Sequence, residues 1–459
     1  MISLSLQDIT AATKGRLVGV AETSVNRVIT DTRASCDGGL FVALKGANFD
    51  AHEFLQDAID GGASALVVEH EVAFGVPQVV VADCRKALGD IARLVREKSS
   101  AQFVGLTGSV GKTTVKEMIA AILSECGDTL ATKGNLNNDI GVPLTLFELE
   151  AGHEFGVIEM GANHAGEIAY TTDIARPHVA LINNVAPAHL EGFGDLQGVA
   201  DAKGEIFNSL DPKTGVAIIN RDDAFADFWL NKIECPSLTF GRSEGAQVTA
   251  SDISLDATAF ASFTLHVNEQ QLPVRLSVPG EHSVNNALAA TACCVALDIP
   301  LTTIVSAIEK FNGVGGRLQV YQPTAGVRIV DDTYNANYSS LIAAIDVISQ
   351  FDGIKILAIG DMAELGEEAR EYHAKAGIKA KQAGIDYLLS VGVLSQFATD
   401  AFGDNAVHFS SRQLLTQWVI EKLQQSQGTV LLKGSRSAHM EEVVKQLLSW
   451  ADTQSGGTQ

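Results

Sequence analysis

The fold of this chain is decided by the stretch FVGLTGSVGKTTVKEMIAAILSEC, residues 103–126. Its apolar beginning predicts a buried strand over 103–107, and the residues from 112 onward predict a helix. Glycines between a strand and a helix let the backbone curl, so that successive N–H groups point at phosphate oxygens and the helix dipole adds its field. The stretch therefore predicts a nucleotide-binding loop at the edge of a sheet.

The side chains of this loop suit the triphosphate of ATP. Lys112 would reach the β- and γ-phosphates, and the hydroxyl of Thr113 would bind Mg²⁺. The strict phosphate-loop pattern has a glycine five positions before Gly111, where this chain has Leu106. A plain glycine-rich turn is the alternative, but GKTT between a strand and a helix favours nucleotide binding. The predicted nucleotide contacts are Gly108, Ser109, Gly111, Lys112, Thr113 and Thr114.

Apolar runs alternate with helix-length segments along most of the remaining chain. The runs at 157–160, 179–184 and 215–220 predict a parallel sheet with helices on both faces. Residues 247–278 alternate in polarity and predict a β-rich addition to that sheet. We therefore predict an α/β protein of three domains. These are a small α/β domain at 1–83, a central phosphate-loop domain at 84–316 and a third α/β domain at 317–459.

Composition narrows the class of protein. Hydrophobic residues make up 46% of the chain, enough for a large buried core, and the formal charge of −22 argues against a nucleic-acid or anionic-membrane binder. The six cysteines are scattered without a CxxC pair, which indicates reduced thiols in the cytoplasm. The apolar stretch 287–307 is interrupted by Asp298 and Pro300, so it predicts two buried helices and no membrane span. The N-terminus shows no signal-peptide pattern.

Three polar residues near predicted strand ends are candidates for chemistry. Glu159 ends an apolar run, where a carboxylate suits Mg²⁺ coordination, although a solvated strand end would look the same. His189 follows another strand, and Lys203 lies where a helix begins. A lone His is more often structural than a ligand, and a lone Lys is usually a solvated helix residue. The amide- and glycine-rich segment 133–143 is either a substrate loop or a tight turn.

In their order along the chain, the motifs resemble those of the Mur ligase family, whose TGxxGKTT loop also lacks the first glycine. The resemblance spans nearly the whole chain. The motifs are DTRASCDGGLFVALKGANFDAHEF (31–54), TKGNLNNDIGVPLTL (132–146), EMGANHAGEI (159–168), NNVAPAHLEGFG (183–194), AKGEIF (202–207), GEHSVNNALAA (280–290), GRLQ (316–319), DDTYNANYSS (331–340), GDMAELGE (360–367) and LLKGSRSAHMEEVV (431–444).

The resemblance implies a UDP-sugar-binding first domain, a central ATPase domain and a Rossmann-like third domain. Asp31, Arg33, Lys45 and Gly46 would lie near the uridine diphosphate, Asn137 and Asn138 in a substrate loop, and Asn286 opposite adenine. Thr113, Glu159, His189 and a carbamylated Lys203 would hold Mg²⁺. Arg317 would reach the phosphates and Asp332 the ribose or hinge, with Tyr334, Asn335 and Asn337 lining the cleft. Lys433, Ser435 and Arg436 would hold a dipeptide, or would merely form a helix N-cap with solvated bases.

Within the family, the motifs are most similar to the ligases that join D-alanyl-D-alanine to UDP-MurNAc-tripeptide in peptidoglycan synthesis. The expected reaction activates the tripeptide carboxylate as an acyl phosphate, with Lys112, His189, Lys203 and Arg317 as catalytic residues. The expected protein is a cytoplasmic monomer. Three alternatives remain at this point: an amino-acid-adding ligase of the same family, a folylpolyglutamate synthase, and a nucleotide switch that uses the loop only to sense ATP.

Overall fold

The computed structural model describes residues 1–46, 48–186, 190–256, 258–363 and 365–455. Within these ranges no helix is both long enough and apolar enough to cross a membrane. The described strands form three large sheets and one short pair. The α/β fold predicted from the alternating pattern is confirmed.

The first sheet is small and lies in the N-terminal part of the chain. Its strands run in the order β2-β7-β6-β5-β4, while β1 pairs with β3, and β4 to β7 are parallel. Asp83 caps the third helix by accepting from the N–H groups of Arg85 and Lys86. The elements are β1 (Leu4–Ser5), α1 (Leu6–Thr13), β2 (Arg16–Val18), β3 (Ser24–Val25), β4 (Val28–Ile29), β5 (Leu40–Val42), α2 (Leu55–Asp60), β6 (Ala65–Val68), β7 (Gln78–Val80) and α3 (Cys84–Glu97).

The middle sheet contains the strand and helix on either side of the phosphate loop. Its elements are β8 (Gln102–Thr107), α4 (Lys112–Ser124), β9 (Thr129–Ala131), α5 (Gly141–Leu146), β10 (Phe155–Glu159), α6 (Glu167–Ala175), β11 (Val179–Ile182), α7 (Leu190–Phe193), α8 (Leu196–Gly204), β12 (Val216–Asn220), α9 (Ala226–Leu230), β13 (Ser237–Phe240), β14 (Val248–Leu255), β15 (Phe260–Val267), β16 (Gln270–Pro279), α10 (His282–Val295) and α11 (Leu301–Lys310).

The order of the described strands, β16-β15-β14-β13-β12-β11-β8-β10-β9, explains where a ligand can bind. The chain leaves β8 on one side to form β9 and β10 and then returns on the other side to form β11, so β8 is the switch point of the sheet. Ligands of open parallel sheets bind at the carboxyl ends of the strands at such a point. The β-rich addition predicted at 247–278 appears as β14 to β16, which are joined antiparallel.

The third sheet begins immediately after the junction at Arg317. Its described strands run in the order β17-β18-β22-β19-β20-β21, with β18 to β22 parallel and β17 antiparallel at the edge. The elements are β17 (Gln319–Thr324), β18 (Val327–Asp332), α12 (Tyr338–Ser349), β19 (Ile354–Ile359), α13 (Ala369–Gln382), β20 (Tyr387–Val391), α14 (Gln396–Phe402), β21 (Ala406–Phe409), α15 (Arg412–Gln425), β22 (Gly428–Lys433) and α16 (Glu441–Ser455).

The three parts of the chain differ in how far they share hydrophobic cores. One core contains residues of both the first and middle sheets, because the amphipathic helix α3 packs against α5 and α6. A second core joins α4, α10 and α11 to the other face of the middle sheet. The third sheet is covered by two cores that consist almost entirely of its own residues. The third part therefore has the independent core expected of a separate domain.

Candidate active site

The phosphate loop turns sharply between β8 and α4. Gly111 has φ 81°, and a Cβ at this position would lie 2.8 Å from Oδ1 of Asn286, so glycine is required. Lys112, the first residue of α4, folds back and donates from Nζ to the carbonyl of Gly108 at 2.7 Å. Burial lowers the pKa of Lys112. The first N–H groups of a helix have no partner inside it, so this end of α4 can bind an anion.

Two asparagines that the sequence analysis did not single out hold this loop in shape. Asn184 accepts from the N–H of Val110 and donates to its carbonyl, both at 2.9 Å. Asn183 also donates to the carbonyl of Val110 at 2.9 Å, and its own carbonyl accepts from the side chain of Asn220. Both residues follow the buried strand β11, and their strand-end position is the signal that could have identified them.

Glu159 ends β10 and points its carboxylate at the beginning of α4. Its Oε2 accepts from the hydroxyl of Thr113 at 3.1 Å, and its Oε1 accepts from the side-chain amide of Asn137 at 2.9 Å. Only 2% of the Glu159 residue surface is exposed. The backbone N–H of Glu159 donates to Oγ1 of Thr132 at 3.0 Å. Hydrogen bonds with Thr113, Asn137 and Thr132 therefore fix the position of the Glu159 carboxylate and backbone.

Lys203 lies near the end of α8 and is buried, with 6% of its surface exposed. In the described part of the chain its Nζ has no hydrogen-bond or ion-pair partner. Burial, reinforced by the positive charge of Lys112, lowers the pKa of Lys203 to about 7. A lysine in this environment is partly neutral, and hence nucleophilic, near neutral pH.

Arg317 brings the third domain to the phosphate loop. Its Nη2 donates to Oγ1 of Thr113 at 3.3 Å, and its guanidinium lies 4.2 Å from the centre of the Tyr334 ring. Its Nε is buried and, among the described residues, has no hydrogen-bond partner. An unpartnered buried N–H on a cation beside a phosphate loop is suited to receiving an anionic oxygen.

These groups line one cleft of about 390 Å³. A cavity of about 470 Å³ lies near α8 and α9, but the described residues that line it include none of the predicted site residues. We assign the chemistry to the smaller cleft because charged and polar groups from both domains converge there. The predicted residues that line it are Gly108, Ser109, Gly111, Lys112, Thr113, Asn137, Asn138, Glu159, Lys203, Arg317, Tyr334, Asn335 and Asn337.

Two asparagines that line the cleft also accept hydrogen bonds from backbone N–H groups in the first turn of a helix. Asn337 is the N-cap of α12, and its Oδ1 accepts from the N–H of Ser340 at 2.8 Å. Oδ1 of Asn138 accepts from the N–H of Gly141 at 2.8 Å, at the start of α5. The segment predicted as either a substrate loop or a tight turn therefore turns tightly at Asn138 and also lines the cleft, and its contact with substrate stays a prediction.

Lys433 and Ser435 do not line the cleft but hydrogen-bond to Asn335 and Ala336, which do. Nζ of Lys433 donates to Oδ2 of Asp332 at 2.5 Å and to the carbonyl of Asn335 at 2.9 Å. The hydroxyl of Ser435 accepts from the N–H of Ala363 and donates to the carbonyl of Ala336. Both side chains are buried. Arg436 is largely exposed and forms an ion pair with Glu441.

The residues predicted near the uridine diphosphate lie on the first domain. Arg33 donates to both carboxylate oxygens of Asp31, and these hydrogen bonds lower the pKa of Asp31 to about 2. Nζ of Lys45 lies 3.6 Å from Oδ2 of Asp50, and the N–H of Gly46 donates to the carbonyl of Phe49. Asp31, Arg33 and Lys45 have exposed side chains that a ligand can reach.

Asn286 and Thr114 are predicted site residues that do not line the cleft. Asn286 is buried beneath the phosphate loop, where its Oδ1 accepts from Nδ2 of Asn183 at 3.4 Å. Thr114 lies in the first turn of α4, outside the set that lines the cleft. His189 lies outside the described residues.

Comparison with known proteins agrees with this geometry. A family model described as the Mur ligase middle domain matches residues 106–294, and one described as the Mur ligase, glutamate ligase domain, matches residues 316–436. A protein of Escherichia coli strain K12 named UDP-N-acetylmuramoyl-tripeptide–D-alanyl-D-alanine ligase is 45% identical, with 97% of this chain and 99% of the relative covered.

The chain belongs to the MurF group of the Mur ligase family.

Solved MurF structures have the same architecture. A MurF from Acinetobacter baumannii superposes with a TM-score of 0.91 at 38% identity, covering 97% of this chain and 99% of that one. A MurF from Thermotoga maritima in complex with ADP superposes with a TM-score of 0.83 at 27% identity, covering 93% and 98%. As a MurF ligase, the chain is an ATP-dependent enzyme that forms a carbon–nitrogen bond. Identities of 38% and 45% over nearly the whole chain favour MurF over the alternatives left open by the sequence.

Proposed function

We propose that this chain joins D-alanyl-D-alanine to the terminal carboxylate of UDP-MurNAc-tripeptide, using ATP and releasing ADP and phosphate. The observation that carries the proposal is the convergence in one cleft of Lys112, Glu159 and Lys203 from the middle domain with Arg317 from the third. Phosphoryl transfer requires cations around a phosphate loop. The substrates follow from the name of the E. coli relative. Nucleotide-linked substrates and ATP also support a cytoplasmic location, and we propose a monomer.

The residues present fit a magnesium ion. Thr113 and Glu159 supply hard oxygen donors 3.1 Å apart at the cleft. In the described ranges no group of three His, Cys, Asp or Glu is clustered around a possible metal position. Mg²⁺ needs few protein ligands, because it usually retains waters and binds substrate phosphates. When bound, the ion neutralises charge on the phosphates. His189 remains a proposed ligand outside the described residues.

Lys203 fits the proposed role of a carbamylated lysine. A neutral amine adds to carbon dioxide, forming a carbon–nitrogen bond and releasing one proton, and the product is an anionic carbamate. The pKa of about 7 and the absence of a partner for Nζ in the described part of the chain support this reaction at Lys203. The carbamate would supply oxygen donors to the cleft that Glu159 also lines and would remove a repulsive positive charge from the vicinity of Lys112.

The first chemical step is attack by the tripeptide carboxylate on the γ-phosphoryl group of ATP. This forms a carbon–oxygen–phosphorus linkage and breaks the bond between the γ-phosphorus and the ADP oxygen. Lys112, the N–H groups at the start of α4 and Arg317 would stabilise negative charge in the transition state. Arg317 comes from the third domain, so this contribution depends on the two domains lying together.

In the second step the amine of D-alanyl-D-alanine attacks the acyl carbon, loses a proton and expels phosphate. Tyr334, Asn335 and Asn337 line the cleft where the dipeptide would approach. Because Lys433 and Ser435 bind loops of the protein, we propose that they position those loops and that the exposed Arg436 exchanges its ion pair with Glu441 for a contact with the dipeptide. Asp31, Arg33, Lys45 and Gly46 are proposed to contact the UDP group.

Asn286 and Asp332 already have partners within the protein. Asn286 accepts from Asn183, which also donates to the loop residue Val110, and Asp332 accepts from Lys433 and from the N–H of Leu318 beside the domain junction. Their contacts favour positioning roles in the nucleotide site over direct contacts with adenine or ribose.

A coupled assay tests the proposed function. ADP release is expected to require both UDP-MurNAc-tripeptide and D-alanyl-D-alanine. ATP turnover that is indifferent to both substrates, or that depends on a free amino acid in place of the dipeptide, would overturn the proposal.

A further inference from the structure

Lys116 is a buried lysine that the proposed mechanism does not use. It lies on the inner side of α4, and only 1% of its residue surface is exposed. Burying an ammonium group is unfavourable unless it is paired and hydrogen-bonded. Nζ of Lys116 donates to the carbonyl of Thr132 at 2.5 Å and lies 2.8 Å from Oε1 of Glu117. The lysine is therefore directed at the chain segment that immediately follows β9.

Thr132 connects this lysine to the active site. Its Oγ1 accepts from the backbone N–H of Glu159 at 3.0 Å, and its N–H donates to the carbonyl of Val157. Thr132 is itself buried. The end of β10, and with it the Glu159 carboxylate, is thereby attached to Thr132 by hydrogen bonds.

The hydrogen bonds from Lys116 to Thr132, from Glu159 to Thr132 and from Thr113 to Glu159 form a closed ring, because Lys116 and Thr113 both lie on α4. Glu159 accepts from Thr113, which lies on α4 one helical turn before Lys116. The ring thus runs from Lys116 to Thr132, from Thr132 to Glu159, and from Glu159 back to α4. Movement of the β10 end relative to α4 would change the separation of the Thr113 hydroxyl and the Glu159 carboxylate. Metal and catalytic groups generally tolerate only about 0.5 Å of such displacement.

We propose that Lys116 is a positioning residue that sets the Glu159 carboxylate against Thr113 for binding of the magnesium–nucleotide complex. This inference rests on the proposed role of Glu159 as a metal ligand. An apolar residue would fill the same space, but it would leave the Thr132 carbonyl without its donor. Thr132 would then no longer be hydrogen-bonded to α4.

The test uses Lys116→Met and the near-isosteric Thr132→Val, which removes the next acceptor in the ring. One readout is the Mg²⁺ concentration that gives half-maximal ADP release. The other is the dissociation constant of Mn²⁺ in the presence of ADP, measured from the loss of the free Mn²⁺ EPR signal. Each variant is expected to weaken metal binding about 10-fold, the lower end of the effect of groups that support metal ligands. The KM for D-alanyl-D-alanine is expected to stay unchanged.

The double variant distinguishes a ring from two separate effects. Because both substitutions open the same ring, their combined effect on Mn²⁺ binding is expected to be smaller than the product of the single effects. Lys310→Met is the matched control, since Lys310 is an exposed lysine of the same domain that pairs with Glu125. It is expected to leave both readouts unchanged.

Glu159→Gln separates this inference from the proposed function. If Glu159→Gln leaves Mn²⁺ binding unchanged, the metal role of Glu159 is wrong. If Glu159→Gln weakens Mn²⁺ binding but Lys116→Met and Thr132→Val lower only the melting temperature, the positioning role alone is wrong. Should Lys116→Met fail to fold, Thr132→Val decides by the same measurements.

Discussion

At the scale of single residues, the two lysines of the cleft differ in their surroundings. Lys112 donates to the backbone of its own loop and lies near the Glu159 carboxylate, whereas Lys203 has no partner in the described part of the chain. Burial lowers the pKa of both, and for Lys203 the result is about 7. Lys112 is therefore suited to act as a cation, while Lys203 is suited to react as an amine.

Replacing Lys112 tests its role as a phosphate-binding cation. Lys112→Ala removes positive charge at the point where negative charge develops, so kcat for ADP release is expected to fall about 10²–10³-fold with all substrates present. Lys310→Ala, a change at the surface, should behave as the unmodified enzyme. Near-normal turnover by Lys112→Ala would remove this residue from the chemistry.

Replacing Lys203 tests the carbamate. Lys203→Ala is expected to lose most activity and to regain part of it when short carboxylic acids such as acetate are added, because a free carboxylate can occupy the space of the carbamate. Rates with and without acetate are compared, with Lys112→Ala as a variant that acetate should not rescue. Full activity of Lys203→Ala without acetate contradicts a metal-bridging role.

At the scale of elements, the site depends on the ends of strands, which are hydrogen-bonded to neighbouring segments of the chain. β11 continues into the asparagines that hold the phosphate loop, and β10 ends in Glu159. In the third domain, the loop after β19 is held by His373 of α13. Nε2 of His373 accepts from the N–H of Met362, and its Nδ1 donates to the carbonyl of Ala369.

The free energy of unfolding of the third domain should depend on pH through His373. Burial lowers the pKa of His373 below its ordinary value of 6.5, so the folded protein holds it neutral. As the pH falls below about 6.5, the unfolded chain gains a proton that the folded chain does not, and stability decreases. The loss is expected to reach up to about 1.4 kcal/mol for each pH unit. Above that range the contribution is fully present.

The measurement compares the melting temperature of the third domain with that of His373→Gln between pH 8 and about 5.5. The native chain should lose more stability on acidification than the variant does, because glutamine does not titrate. His178 and His282 also have lowered pKa values, but they are the same in both proteins and cancel in the difference. Parallel pH profiles would show that His373 contributes nothing to the dependence.

At the scale of the whole molecule, the cores of the third domain consist almost entirely of its own residues, whereas the first and middle domains share one core in addition to a core of their own. The chain crosses to the third domain at Gly316 and Leu318, which both have positive φ, and Arg317 between them reaches Thr113. Independent cores joined by a short connection permit relative motion of domains. Closure would bring a cation to the phosphates and exclude water from the acyl phosphate.

Arg317→Met tests this contribution of the third domain. The substitution removes a charge that acts on the γ-phosphoryl group, so kcat is expected to fall about 100-fold. The dissociation constant of ADP, which lacks that group, should change little. Arg242→Met provides a control, because Arg242 does not line the cleft and forms an exposed ion pair with Glu281. Equal losses in kcat and ADP affinity would instead indicate a general role in nucleotide binding.

Much of the fold and part of the site follow from local patterns. The stretch 103–126 predicted the strand, loop and helix that are observed, because glycine placement and apolar periodicity are local properties of the chain. Motif order identified the family without the structure. The sequence also pointed to Glu159 at a strand end and to Lys203 in a predicted helix, but position in an element left each with a structural alternative.

Contacts between distant segments could not be predicted in this way. Lys433 and Ser435 were predicted to hold substrate but are buried against loops of their own domain, and Asn286 lies beneath the phosphate loop. The roles of Asn184 and Lys116 were not predicted, because their partners are separated from them by 74 and 16 positions.

By itself, the sequence determined the α/β class, the nucleotide loop and the family, since each depends on residue types at short spacing. Only the tertiary structure decided which polar side chains face the cleft and which hydrogen-bond to other residues in the interior of the protein. The physical reason is that a buried donor or acceptor must find a partner, and that partner is supplied by whichever segment the folded chain brings within hydrogen-bonding distance.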